Sequence, residues 1–176
     1  MLQILRWPTI VLFSALSLCL WLGYPQPVHA TSWVSSAAWT PPLPLASIFH
    51  FSGSRPKDLG VQAGRLKPCP SSPNCVSSQE EDPEHFIMAI ATTDPKATLN
   101  RITNQIKAND AAQIITQADD YLYAEYTSEL MGFVDDVEFW IDPKTGDIAV
   151  RSASRLGESD LGVNRKRIEA LRTALQ

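Results

Sequence analysis

The sequence has few of the residues that the commoner enzyme chemistries need. It has three histidines, and only His85 lies beyond position 55. A hydrolytic triad built on Ser77, Ser152 or Ser154 would have that one ring to draw on, and no G-x-S-x-G elbow accompanies any of the three. The eight glycines are scattered, so there is no glycine-rich phosphate loop and no dinucleotide fingerprint. The three cysteines form no C-x-x-C pair, which argues against a thioredoxin-like centre. Two Cys and one His are thin for a zinc site that prefers four ligands. No metal and no cofactor is therefore expected. Charge is absent from Thr31 to Ser54, no internal repeat is visible, and no second long apolar run follows the first.

That first run marks the amino terminus. Arg6 is the lone charge of residues 1–30, Ile10 to Leu22 is apolar, and Val28-His29-Ala30 ends on small-residue cleavage chemistry. The pattern reads as a secretory signal peptide. The run is short of the roughly 20 apolar residues a spanning helix needs, and an uncleaved amino-terminal anchor is the alternative. Leu18 is too large before Cys19 for a lipoprotein signal. Three regions follow: a signal peptide over 1–30, a Pro-rich linker or arm over 31–54, and a single domain over 55–176.

The formal charge of −4 becomes −5 once Arg6 leaves with the signal. Net acidity disfavours nucleic acid as a partner, and no stable membrane span is expected after cleavage. The basic residues cluster late, at Arg151, Arg155, Arg165, Lys166 and Arg167, which allows a local anion site. Cys19 also leaves with the signal, and Cys69 and Cys75 remain in a turn-rich segment of an exported chain. They are expected to form a structural disulfide, worth about 2 kcal/mol by loop closure.

Coarse elements follow from periodicity. His85 to Ala91 is expected to be the first strand, after a loop that includes the Cys pair. Asp94-Pro95 supplies an N-cap and a first-turn proline for a helix over 97–108, with Leu99, Ile102 and Ile106 on its inner face. Strands follow over 112–118 and 121–130. Phe133 to Ile141 then alternates, Asp142-Pro143-Lys144-Thr145-Gly146-Asp147 turns, and Ile148 to Arg155 alternates again. Ser159-Asp160 caps a last helix to Leu175, with Ile168, Leu171 and Leu175 as its apolar stripe. The order β-α-β-β-β-β-α implies an α+β fold, an antiparallel sheet of about five strands with two helices on one face.

The hairpin fixes a register. If Ile141 opposes Ile148, Glu138 opposes Arg151, Asp136 opposes Ala153 and Ser154 opposes Asp135. Asp136 and Glu138 then share a polar face with Arg151 and Arg155, and Asp136→Asn is expected to change stability little. Asp135 interrupts the apolar face and must find a partner. Ser154 opposite, or Asn164 or Arg165 on the last helix, is expected to supply it.

Four blocks in this order carry a family resemblance: Gly64-Arg65-Leu66-Lys67-Pro68-Cys69 through Cys75-Val76-Ser77-Ser78, Gly132-Phe133-Val134-Asp135-Asp136-Val137-Glu138-Phe139, Arg151-Ser152-Ala153-Ser154-Arg155-Leu156-Gly157, and Ser159-Asp160-Leu161-Gly162-Val163-Asn164-Arg165-Lys166-Arg167. Together they resemble the domain-of-unknown-function 1499 family of bacteria, cyanobacteria included, and plant chloroplasts. The resemblance spans roughly Gly60 to Leu175 and implies no activity. With the signal peptide it suits a cyanobacterial protein of the periplasm or thylakoid lumen. Two functions fit the residues. One is a non-catalytic module that binds a small anionic ligand or a protein partner through Arg151, Arg155, Asn164 and Arg165. The other is an enzyme with Asp135 as acid/base and an arginine anchoring an anionic substrate.

Overall fold

A computed structural model describes residues 51–176. The signal peptide and residues 31–50 of the linker lie outside the described residues. The described chain runs β1 (Cys75–Ser77), α1 (Pro95–Lys107), β2 (Ala112–Gln117), β3 (Tyr121–Thr127), β4 (Val134–Ile141), β5 (Ile148–Ser154) and α2 (Val163–Ala174). The strands form one antiparallel sheet in the order β1-β5-β4-β3-β2. This is the α+β order the sequence implies.

The local signals account for most element boundaries. Asp94 accepts from Ala97 N at 3.0 Å and Pro95 in the first turn has no N–H to satisfy, so two of the four orphan positions of α1 are accounted for and the φ of Pro95 is preset. Leu99, Ile102, Thr103 and Ile106 form the buried stripe of α1. Between β4 and β5, Asp142 Oδ1 accepts from Lys144 N at 2.9 Å, and Gly146 takes φ 78° and donates to Asp142 O. That turn sets the register, with Ile141 opposite Ile148, Glu138 opposite Arg151 and Asp135 opposite Ser154.

Both helices pack on one face. Val137, Phe139, Val150, Leu122 and Ile148 from the sheet meet Ile102 and Ile106 of α1 and Ile168 of α2. Each of these side chains is fully buried, and each stabilises the fold by about 1.5–3 kcal/mol. Leu171 and Leu175 pack at the edge of this core.

The first strand is a correction. Residues 85–91 form no strand beyond isolated bridges at Phe86 and Ile90; the edge strand is Cys75–Ser77, inside the segment the composition marks as loop. Ser77 exchanges bonds with His85 O and Ile87 N, and Ile90 pairs with Ile148. Three carbonyls of the segment, and that of Glu84 just before it, meet arginines of α2 instead of a neighbouring strand. Arg165 donates to Glu84 O and Phe86 O at 2.9 and 2.8 Å, and Arg172 to Met88 O and Ala89 O at 2.5 and 2.7 Å. Alternation reports an extended backbone, and here guanidinium groups complete its hydrogen bonding.

The opposite face of the sheet is covered as well. Residues 55–66 cross it: Arg55 pairs with Glu125, Gly60 N donates to Glu138 at 2.7 Å, and Leu66 packs with Trp140 and Ala149. Cys69 and Cys75 are joined, which ties this loop to the edge strand. Among the described residues no helix is long and apolar enough to cross a membrane.

Candidate functional site

Asp135 stands in the helix-facing row of β4 beside Val137 and Phe139, and is 8% exposed. Each of its carboxylate oxygens accepts one bond. Ser154 Oγ donates to Oδ1 at 2.5 Å and Arg167 NH2 donates to Oδ2 at 2.6 Å. Behind them Asn164 Nδ2 donates to Ser154 Oγ at 3.0 Å and to Asn74 O at 3.1 Å. Arg167 NH1 reaches Asn164 Oδ1 at 2.7 Å and Ser152 Oγ at 3.0 Å. The network joins β4, β5, α2 and the disulfide loop, and every buried polar group in it has a partner.

The expected partners are thus met in part. Ser154 and Asn164 are where the alternation puts them, but the cation is Arg167, and Arg165 is turned to the main chain of residues 84–86. Helix geometry explains the difference. Each residue advances about 100°, so Arg167 and Ile168, three and four positions after buried Asn164, share its face, whereas Arg165 points sideways. The i, i+3 spacing from Asn164 is the signal that marks Arg167 in the sequence. Ser159-Asp160 does not sit at the helix boundary: the N-cap is Gly162, at φ 77° with no side-chain cap bond of its own. Asp160 acts from two residues upstream, accepting from Gly162 N at 2.9 Å and Asn164 N at 2.7 Å.

Arg151 and Arg155 lie on the other face, in a second network. Glu138 is fully buried; it accepts from Tyr121 Oη and Gly60 N at 2.7 Å each and faces Arg151 NH1 at 3.5 Å. Arg151 Nε is buried without a partner. Arg155 binds Asp136 at 2.7 Å, Tyr123 Oη at 3.1 Å, and Glu125. Burial opposes the Arg155 charge, but its bonds to Asp136 and Glu125 outweigh that and hold the guanidinium above its ordinary value. Burial also opposes the Glu125 charge, yet bonds from Arg55, Tyr123 and Arg155 together bring its carboxyl down to about 2. Burial first, then the bond to Asp136, pushes the Tyr123 hydroxyl up. Asp136 is 2% exposed, so the solvated setting behind a mild Asp136→Asn is not what the residue has. A face that reads as polar by alternation is dry because residues 55–66 lie over it.

Two cavities flank the Asp135–Arg167 pair. One, of about 220 Å³, has Asp135 and Ser154 on its floor, Phe133, Leu156, Leu161 and Val163 as apolar walls, and Asp160 and Ser159 at its edge. Leu161 is 85% exposed and held at φ 54°, an unfavourable backbone state for a leucine. Sequence reasoning passed over Leu161 and Val163, because an apolar residue in a loop gives no local sign of what it borders. The second cavity, of about 400 Å³, opens between the helices and contains Arg167. Among the described residues no group of three His, Cys, Asp or Glu is placed to hold a metal ion.

A family model described as "Protein of unknown function (DUF1499)" matches residues 65–175. No curated protein matches the chain. Three of the four sequence blocks that carry the resemblance, those around Asp135, Ser154 and Leu161, meet at the smaller cavity.

Proposed function

The chain belongs to the DUF1499 family, and we propose that it serves, after export to a periplasm or thylakoid lumen, as a non-catalytic module that binds a protein partner at the cavity over Asp135 and Ser154. The observation that carries this reading is an apolar-walled cavity beside the Asp135–Arg167 pair, with Leu161 almost fully exposed on its lip. At about 220 Å³ the cavity is smaller than the ~300–1,000 Å³ of typical ligand pockets and suits one inserted side chain. Exposed Leu156, Leu161 and Val163 surround it as a docking rim.

Charge selects the partner. The lining contains Asp160 and no cation, with Asp135 already paired to Arg167, and the adjoining Glu129 and Glu158 are exposed. An apolar side chain flanked by lysine or arginine complements that surface. The alternative anionic ligand draws less support, because Arg151 and Arg155 face carboxylates and Arg165 is bonded to main-chain carbonyls. Catalysis by Asp135 also draws less support: the residue is only 8% exposed and its carboxylate is held by Ser154 and ion-paired with Arg167. The signal-like residues 1–30 and the closed Cys69–Cys75 bridge support export.

Fluorescence polarisation with a panel of labelled peptides tests the reading. Peptides presenting Leu, Phe or Trp between basic residues are expected to bind, and their acid-flanked counterparts are not. Leu161→Ser, a change on an exposed side chain, is expected to weaken binding about tenfold by removing a buried apolar contact. Equal binding by this variant, or no binding by any basic-flanked peptide, overturns the reading.

A further inference from the structure

The cleft between α1 and α2 is chemically unlike the cavity over Asp135. Its floor is Tyr126 of β3, only 7% exposed, whose hydroxyl makes no hydrogen bond to any described residue. The ring is buried but the hydroxyl itself opens on the cleft: Arg151 Nε, on the other face, is the sealed side-chain polar atom that lacks a partner among the described residues. Burial pushes this hydroxyl above its ordinary value, with Arg167 opposing, so at neutral pH it stays protonated and can donate into the cleft.

Arg167 lies across the Tyr126 ring, its guanidinium carbon 4.5 Å from the centroid. Its NH1 and NH2 are bonded to Asn164, Ser152 and Asp135. Its Nε makes no bond to a described residue. Arg167 is the one charged residue lining the cleft, and the amides of Gln105 and Asn109 stand at the α1 side. The α2 side is apolar, with Leu171 between the small residues Ala170 and Ala174. At about 400 Å³ the space falls within the usual range for a small-molecule site.

We propose that this interhelical cleft binds a small monocarboxylate with a short aliphatic tail. One oxygen accepts from Tyr126 Oη and the other from Arg167 Nε, while the tail lies along Ala170, Leu171 and Ala174. A single charge already shared with Asp135, together with two free donors, matches one carboxylate better than a phosphate dianion, and the apolar wall adds a preference for a tail. The site is a different cavity from the proposed protein-docking one and stands independently of it.

Calorimetric titration of the purified full chain with acetate, butyrate, hexanoate and inorganic phosphate tests the proposal. Hexanoate is expected to bind more tightly than acetate, and phosphate not to bind. Tyr126→Phe removes one atom that bonds to no described residue, so the fold is expected to stand while hexanoate affinity falls about tenfold. Ala170→Leu, which fills the cleft from its exposed side, is expected to abolish binding. Leu161→Ser, in the other cavity, is expected to leave it unchanged. The proposal is overturned if no carboxylate binds at millimolar concentration, if phosphate binds more tightly than hexanoate, or if either cleft variant binds hexanoate as the parent does.

Discussion

Arg167 NH2 meets Asp135 Oδ2 at 2.6 Å, and this ion pair forms the wall between two cavities of opposite character. The carboxylate borders an apolar cavity edged by acids, and the guanidinium borders a donor-rich cleft. The pair also locks α2 to β4, because Asn164 and Ser152 hold the same guanidinium.

Breaking this lock is expected to cost far more than losing the neighbouring arginine. Asp135→Asn or Arg167→Ala leaves a nearly buried charge unpaired, at about 3–5 kcal/mol. Arg165→Ala removes two bonds to main-chain carbonyls at the edge of the fold, at about 1–2 kcal/mol. Urea denaturation of the three variants checks the order, and a large loss for Arg165→Ala alone would reverse it.

On the other face, Glu138→Gln is expected to destabilise by about 3–5 kcal/mol, because it leaves buried Arg151 without its carboxylate; Asp136→Asn is expected to cost about 1.5–3 kcal/mol, because Arg155 keeps its bonds to Glu125 and Tyr123. Arg151 is the weaker partner, with a 3.5 Å contact and an unpartnered Nε. Replacing Glu138 and Arg151 together by Gln and Met is expected to recover much of the single-variant loss. A double-mutant cycle by thermal melting measures that coupling.

Acid should loosen the cover over this face. The Glu125 carboxyl is lowered from 4.5 to about 2 in the folded protein. Its stabilising contribution is therefore full above the unfolded value and is lost as pH falls from about 4.5 through about 2. Melting temperature followed over that window is expected to fall less steeply in Glu125→Gln, which has no proton to take up. Parallel curves for parent and variant would remove Glu125 from the acid response.

The Cys69–Cys75 bridge closes a short loop beside the edge strand. Thiol counting by mass spectrometry on unreduced protein is expected to find no free thiol at either position. Reduction is expected to lower stability by about 2 kcal/mol through loop entropy, without loss of the sheet, since Val76 and Ser77 remain paired to β5.

Interactions close in sequence were readable in advance. The α1 cap depends on Asp94 and Pro95 alone, and the β4–β5 register on a six-residue turn between two alternating runs, so the pairing of Asp135 with Ser154 needed no tertiary information. The edge strand was not readable. Three residues, Cys75–Ser77, are too few to show a period, and their pairing with β5 comes from residues more than seventy positions away.

The sequence alone determined the order of elements from the first helix onward, the hairpin register, the disulfide pair and the fact that Asp135 needed a partner, because each depends on spacing within one segment. Only the tertiary structure decided which arginine supplied that partner, since the rotation of α2 about its axis is set by seating Asn164 and Ile168 against the sheet. It also decided that the Asp136–Glu138 face is dry. Alternation tells which side chains share a face, but whether water reaches that face depends on where a distant loop, residues 55–66, comes to rest.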